Sequence, residues 1–297
     1  MLELIIQSIP FPDWINETAI SLGPLSVKWY GLSYIAGIAL AYFYAKRVCE
    51  RRDVWIADGV PSGPMLIPNK AILEDYFFYA LLGIMIGGRI GSILLYDTEK
   101  YMADPLAIFK VWEGGMSFHG GMLGVGVAVL YLARKYKMSL GRIGDIAAIG
   151  APFGLLTGRL ANFINQELWG SPTDAPWGVI FRYDPDALAR HPTQLYEALL
   201  EGVVLWLIIR VATHKFKALT RPGLCVGLFL LFYGLFRIWV ELYRLPDAGI
   251  SQFGFLQRGQ MYSLPMVLGG AYIIWRALKK PPVSPKRIKE EPEAEAA

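Results

Sequence analysis

A chain of 297 residues that is 54% hydrophobic and only 18% charged falls outside the usual composition of soluble domains, in which about 25% of residues are charged. Its mean hydropathy of +0.37, with apolar runs flanked by Trp and Tyr, describes an integral membrane protein. The net charge of +4 arises from basic residues gathered in loops of one side, so no nucleic acid is needed to explain it. Two cysteines are too few for a disulfide framework, and no Cys/His cluster has zinc spacing.

In chain order, Met1 to Ile20 lacks a basic n-region and a small-residue cleavage site, and does not read as a signal peptide. Leu2, Ile5, Ile6, Phe11 and Trp14, broken by Pro10 and Pro12, read as a segment lying at a membrane interface. Seven spans follow, near 30–48, 72–95, 118–133, 143–163, 194–211, 223–242 and 261–278. Each approaches the length that a hydrocarbon core of about 30 Å requires. The loop Glu50–Pro68 is long and carries no readable motif. Connections 97–117 and 167–193 are larger; the second holds Pro172, Pro176, Pro185 and Pro192 and suits a small cap with a hairpin around Pro176–Tyr183. Residues 1–280 thus form a seven-helix domain with an external arm and head, and the Pro-, Lys- and Glu-rich residues 281–297 read as a disordered cytoplasmic tail. The fold class is all-α.

Lys and Arg set the orientation. Alternate connections hold Lys46, Arg47, Arg51, Arg52 and Lys70; Arg134, Lys135, Lys137 and Arg142; Arg210, Lys215, Lys217 and Arg221; and Arg276, Lys279, Lys280, Lys286, Arg287 and Lys289. The other side has only Lys28, Lys100, Lys110, Arg182, Arg190, Arg244 and Arg258. The positive-inside rule places the N-terminus outside and the C-terminus in the cytoplasm.

That topology gives each span an outer end. Tyr30 opens the first span there, Arg89 lies about 9 Å inside the second at 1.5 Å per residue, and His119 opens the third. Arg159 and Asn162 share one face at the end of the fourth, with Gln166 a turn further on. Asn165, Glu167 and Gly170 follow where that helix should stop. Tyr233, Arg237, Glu241 and Arg244 form a stripe at i, i+4, i+8 and i+11 that ends the sixth. Snorkelling alone would put basic residues at both ends of the spans; those inside spans lie only at this end, which favours a site. Guanidiniums there suit an anionic headgroup, since each can grip a phosphodiester through two N–H donors. Glu241 either orients Arg237 or forms a self-contained pair that eases insertion. His119, with glycines on both sides, is a general-base candidate. His191, before Pro192, reads as a turn or cap residue. Cys49 and Cys225 lie at cytoplasmic ends, away from this level.

The stretch Gly158–Gly170 matches G-R-x-[GA]-N-F-x-N-x-E-x-x-G at every fixed position, and so resembles the prolipoprotein diacylglyceryl transferase family. Similar to that family too are Lys28-Trp29-Tyr30-Gly31, Gly87-Gly88-Arg89-Ile90-Gly91, Trp112 to Gly121, His191 to Ala198, Tyr233 to Arg237 with Glu241, and Gly259-Gln260 before Ser263-Leu264-Pro265-Met266. The likeness covers roughly Trp29 to Arg276; the long loop 50–68 and the acidic tail depart from it.

The resemblance implies seven transmembrane helices with periplasmic arms and a small head, in the bacterial inner membrane. It implies transfer of the sn-1,2-diacylglyceryl group from phosphatidylglycerol to the lipobox cysteine of a prolipoprotein, with no metal or cofactor. It further implies that Tyr30, His119, Arg159, Asn162, Glu167, Gly170, Arg237 and Glu241 are required. Arg89, Asn165, Tyr233 and Arg244 join them as expected substrate contacts. A lipid carrier is the alternative; it predicts a charged path to the cytoplasmic half, where spans four and six are expected to show no ionisable residue. A CDP-alcohol phosphotransferase needs a clustered Asp motif, which the chain lacks.

Overall fold

In a computed structural model of the protein, residues 8–23, 25–56, 67–95, 98–110, 115–245 and 258–282 are described. Residues 283–297 of the expected tail 281–297, most of the loop 50–68, Leu2, Ile5 and Ile6, and Trp112 to Gly114 lie outside them. The apolar runs are helices. In order come β1 (Ile9–Pro10), β2 (Thr18–Leu22), β3 (Leu25–Lys28), α1 (Trp29–Cys49), α2 (Arg52–Trp55), α3 (Lys70–Leu95) and α4 (Thr98–Ala103). There follow a 3₁₀ turn (Pro105–Phe109), α5 (Phe118–Lys135), α6 (Leu140–Ile164), β4 (Val179–Ile180), β5 (Ala189–Arg190) and α7 (Thr193–Glu197). A π-helical stretch (Ala198–Val204) joins α7 to α8 (Leu205–His214), and α9 (Leu224–Glu241) and α10 (Arg258–Lys279) complete the order.

Each expected span coincides with a helix, the fifth being the run 193–214. Among the described residues, three helices are long and apolar enough to cross a membrane: Lys70–Leu94, Leu140–Ile164 and Leu224–Glu241. Pro152 inside α6 and Pro265 inside α10 suit apolar helices whose neighbours absorb the lost hydrogen bond.

To this mostly helical chain the structure adds two small sheets. β2 and β3 pair antiparallel as a hairpin, while β1 runs parallel to β4, which pairs antiparallel with β5. The hairpin expected around Pro176–Tyr183 starts there but returns later, its second strand at Ala189–Arg190. Phe11, expected at an interface, is buried instead against Val179 and Phe181, with Phe163 and Trp169 packed alongside. The indole of Trp169 stacks on Phe181 at 5.4 Å. Trp14 alone of that segment's aromatics stays open, at 82% exposure.

Packing divides the described residues into two units, those within 1–44, 147–218 and 224–280 in one, and those within 45–146, 219–223 and 281–282 in the other. In the second unit α3 crosses α5 on glycines. A Cβ on Gly83 would sit 2.5 Å from the Gly124 carbonyl oxygen, and one on Gly91 would sit 2.8 Å from the Gly120 Cα. Gly83, Gly87 and Gly91 recur every fourth residue against Gly120 and Gly124, the small-residue seam by which apolar helices pack without a hydrophobic driving force. At the other end of this unit, buried Arg142 donates to the carbonyls of Trp55 and Leu219 and lies over the Trp55 ring. Asp145, an acid near the start of α6, is fully buried and accepts from the Gly223 amide at 2.8 Å.

Candidate functional site

The site grows from the end of α6. Gln166 takes the left-handed conformation (φ 54°), its amide donates to the Phe163 carbonyl, and the Glu167 amide donates to the Asn162 carbonyl. That is a Schellman cap with glutamine where glycine is usual. Its side chain stays in use: Gln166 Oε1 accepts from the Arg182 amide at 2.8 Å, tying the helix end to the head. Beyond the cap, Asn162 Nδ2 donates to Glu167 Oε1 at 2.7 Å. The backbone of Glu167 and Leu168 accepts from Gln194 Nε2 and Thr193 Oγ1, at 2.6 and 3.0 Å. The signature therefore docks the end of α6 onto the first turn of α7.

The last residue of α7 and the stretch after it add two acids that are not among the site residues expected from the sequence. Glu197 and Glu201 are both fully buried; Glu201 lies inside the π-helical stretch that follows Glu197, a form frequent at functional sites. Glu197 Oε2 lies 3.2 Å from Arg159 Nε, and Glu201 Oε2 lies 3.7 Å from Arg159 Nη2. Glu197 Oε1 pairs with Arg237 Nη1 and with Arg244 Nη1, the latter at 3.3 Å. A lone guanidinium at such a depth would be costly, and these pairs offset that cost.

From α9, Arg237 Nη2 lies 3.1 Å from Glu241 Oε2, and Arg244 Nε lies 3.7 Å from the same oxygen. The Arg237–Glu241 pair exists, but it is not self-contained, because Glu197 shares Arg237. Glu241 Oε1 accepts from the Gly259 amide at 3.3 Å in the first turn of α10, and a Cβ on Gly259 would overlap that carboxylate. Tyr30 and Tyr233 both lie within electrostatic reach of the Arg159 guanidinium. Asn165 Oδ1 is buried, with no hydrogen-bond partner among the described residues.

Gly170 closes the arrangement. Its amide donates to the His191 carbonyl at 2.8 Å, and it forms a β-bridge with Arg244. His191, expected at a turn or cap, instead pairs its backbone with Gly170 and Ser171, Pro192 standing at the cap of α7, and its ring contacts the Tyr196 hydroxyl at 3.1 Å.

The head is held by a second cluster. Arg190 Nε donates to Asp184 Oδ2 at 2.7 Å and Nη2 to Asp184 Oδ1 at 2.8 Å, while the Asp186 and Leu188 amides also reach Asp184. The Arg190 guanidinium and these amides hold the Asp184 carboxyl below the usual carboxylate range. A depressed folded value stabilises the protein above the unfolded value of about 3.9, and that stability is lost as pH falls through the folded value. The head of the wild-type protein is expected to loosen on acidification below about pH 4. Replacing Asp184 by Asn lowers thermal stability at neutral pH and flattens the acid limb, followed by melting in detergent from pH 3 to 7. An acid limb unchanged in D184N places the titration elsewhere.

In the other unit, Arg89 spends its donors on protein. Nε donates to the Ile108 carbonyl, Nη1 to the Tyr101 hydroxyl and the Gly115 carbonyl, and Nη2 to the Ala107 carbonyl, at 2.8 to 3.1 Å. Expected as a substrate contact, it is 6% exposed and anchors the arm, including the residue that leads towards α5. Ser117 caps α5 by accepting from the Gly120 amide at 3.2 Å, and exposed His119 stands in the first turn.

The structure thus gathers Arg159, Asn162, Glu167, Gly170, Arg237, Glu241 and Arg244 into one connected arrangement, with Tyr30, Tyr233 and Asn165 near its members. A family profile described as prolipoprotein diacylglyceryl transferase matches residues 17–276. The chain belongs to that family. Among curated prolipoprotein diacylglyceryl transferases, the chain is 42% identical to the phosphatidylglycerol–prolipoprotein diacylglyceryl transferase of Bartonella bacilliformis, covering 92% of this chain and 95% of the relative. It is 44% identical to that of Phenylobacterium zucineum, over 92% and 96% of the two chains. It is 46% identical to that of Rickettsia felis, over 91% and 99%. Glu197 and Glu201 were legible in principle, as two acids four residues apart in an otherwise apolar run.

Proposed function

We propose that this protein transfers the sn-1,2-diacylglyceryl group of phosphatidylglycerol to the lipobox cysteine of a prolipoprotein, in a bacterial inner membrane and on its outer side. The observation that carries the reading is the convergence of Arg159, Arg237 and Arg244 on Glu197, in a chain of this family. Seven spans with the N-terminus outside fit the Lys/Arg asymmetry of the connections and the helix positions. The cysteine sulfur attacks the glycerol carbon, the C–O bond to the phosphate breaks, and glycerol phosphate leaves with the bonding pair. Arg159 and Arg237 grip the phosphate and stabilise its growing charge. Asn162, Glu167 and Gly170 hold the end of α6 that carries Arg159, and Asn165 offers a carbonyl to the substrate. Tyr30 and Tyr233 border the guanidiniums. A thiol is mostly protonated at neutral pH, and His119 is the base assigned to its proton, on its glycine-flanked position and on the family's pattern.

The carrier alternative has less support than this. The cytoplasmic half does contain one acid of the fourth span, Asp145, but it is buried on the Gly223 amide, and a single occupied acid is not a path.

Purified protein, phosphatidylglycerol and a lipobox peptide should give a thioether adduct by mass spectrometry, in excess EDTA as without it. Loss of the adduct on chelation, restored by a divalent ion, would sink direct displacement. Among the described residues, no group of three or more His, Cys, Asp and Glu is disposed to hold a metal. Cys225 is buried beside Thr213, and Cys49 ends α1, so the double substitution C49S/C225S should keep most of the transfer rate. Abolished transfer in a folded double variant would indicate an enzyme-bound intermediate.

A further inference from the structure

We propose that Glu197 is the positioning residue of the site, a single buried carboxylate that sets three guanidiniums in one arrangement and competes with the lipid phosphate for them. The proposal rests on the transferase reading above and deepens it. Glu197 is fully buried. One of its oxygens faces Arg159 Nε at 3.2 Å, and the other faces both Arg237 and Arg244. Within 4 Å, Glu201 meets Arg159 alone, at 3.7 Å, with Arg237 and Arg244 farther off but still felt electrostatically, and Glu241 meets only the two arginines of its own stripe. Glu197 is therefore the only one of these three acids that joins the arginine of α6 to those at the end of α9.

The charges give this geometry a consequence for catalysis. Three guanidiniums face the three carboxylates of Glu197, Glu201 and Glu241, so the formal charges of these six groups cancel, and Glu167, held by Asn162, adds a further carboxylate to the site. A phosphodiester anion enters an arrangement whose donors are aimed but already paired. Part of its binding energy is spent in drawing guanidiniums away from carboxylates. A carboxylate that holds the donors in place thus weakens ground-state binding while it lowers the barrier to reaction. Interactions that strengthen only as charge develops on the leaving phosphate raise kcat. Removing the Glu197 charge should then move KM and kcat in the same downward direction, a pattern that a general loss of fold does not produce.

Two features of Glu197 separate by substitution. Glu197→Gln keeps an acceptor and the length but removes the charge. Glu197→Asp keeps the charge but shortens the reach by one methylene, so it cannot touch Arg159 together with Arg237 and Arg244. Glu201→Gln removes a charge at one edge and leaves the three-way contact standing.

The test is steady-state transfer against phosphatidylglycerol in mixed micelles, with melting temperature recorded for each variant, and equilibrium binding of short-chain phosphatidylglycerol measured in parallel. Glu197→Gln is expected to lower kcat about tenfold or more and to lower both KM and Kd for phosphatidylglycerol at least about threefold. Glu197→Asp should lose a similar share of kcat without tighter binding. Glu201→Gln should bind more tightly with a smaller loss of kcat than Glu197→Gln. Wild-type turnover in the same micelles tests the transferase reading separately, because binding is read whether or not transfer occurs. The proposal is overturned if Glu197→Gln binds phosphatidylglycerol no more tightly than wild type. It is also overturned if Glu197→Asp has a normal kcat. Should Glu197→Gln fail to fold, tighter binding by Glu201→Gln with a low kcat in Glu197→Asp upholds the proposal, and unchanged binding in Glu201→Gln overturns it.

Discussion

Replacing Arg159 or Arg237 by Lys should lower the transfer rate by about 10²–10³-fold, the usual value of a donor aimed at developing charge. Both substitutions keep the positive charge, so the loss measures geometry. Arg159 spans Glu197 and Glu201 through Nε and Nη2, and Arg237 spans Glu197 and Glu241 through Nη1 and Nη2. A single ammonium cannot make either pair of contacts and still present a second donor to the phosphate. Each Lys variant also leaves a buried acid short of a partner, so a fall in melting temperature is expected alongside. His119→Gln provides the contrast. It should retain phosphatidylglycerol binding, and its lost rate should recover in part as pH rises and the thiol ionises unaided. Near-normal rates in both Lys variants would end the bidentate-grip idea. A His119→Gln rate that stays flat with pH would leave His119 a structural role.

The helices were legible because apolar length dominates a membrane chain: Trp29–Cys49 and Leu224–Glu241 match their expected spans within a few residues. The stop after Ile164 was legible too, since Asn165, Gln166 and Glu167 crowd polar groups at one point and a Schellman cap answers them. Depth along a span placed Arg89 at the same level as the other arginines, but depth says nothing of partners. Arg89 turns its donors to the arm because the Ala107 and Ile108 carbonyls come within reach only in three dimensions. Glu197 escaped for the opposite reason. In the sequence Glu197 and Glu201 are only two acids in an apolar run, and their purpose is visible only when Arg159 and Arg237 arrive from two other helices. The π-helical stretch after Glu197 accompanies that contact, and no periodicity announces it. Nor does periodicity reveal β1, whose two residues pair with β4 far along the chain.

Gly170 carries the last expected result. Its φ is not in the left-handed region, so space, not backbone freedom, demands glycine. A Cβ there would overlap the Tyr243 carbonyl oxygen and sit 2.7 Å from Thr193 Cγ2 and 2.9 Å from His191 Cβ. The carbonyl has little room to move, because it already accepts from the Ser171 amide at 2.9 Å and from the Ser171 hydroxyl at 3.2 Å. Relief requires the segment Tyr243–Arg244 or the first turn of α7 to shift. The first shift draws Arg244 away from Glu197 and Glu241; the second moves Glu197 itself. Overpacking of this kind costs about 1–3 kcal/mol in stability. A displacement of about 1 Å in a positioned group can cost about 10² in rate. Gly170→Ala should therefore lose much of the transfer rate, and Gly170→Val about 10²-fold or more, while the folded protein still reaches the membrane with a lowered melting temperature. Transfer rate and melting temperature measured together decide it. A Gly170→Val protein that transfers at near the wild-type rate would show that the bridge between Gly170 and Arg244 does not set the arginine cluster.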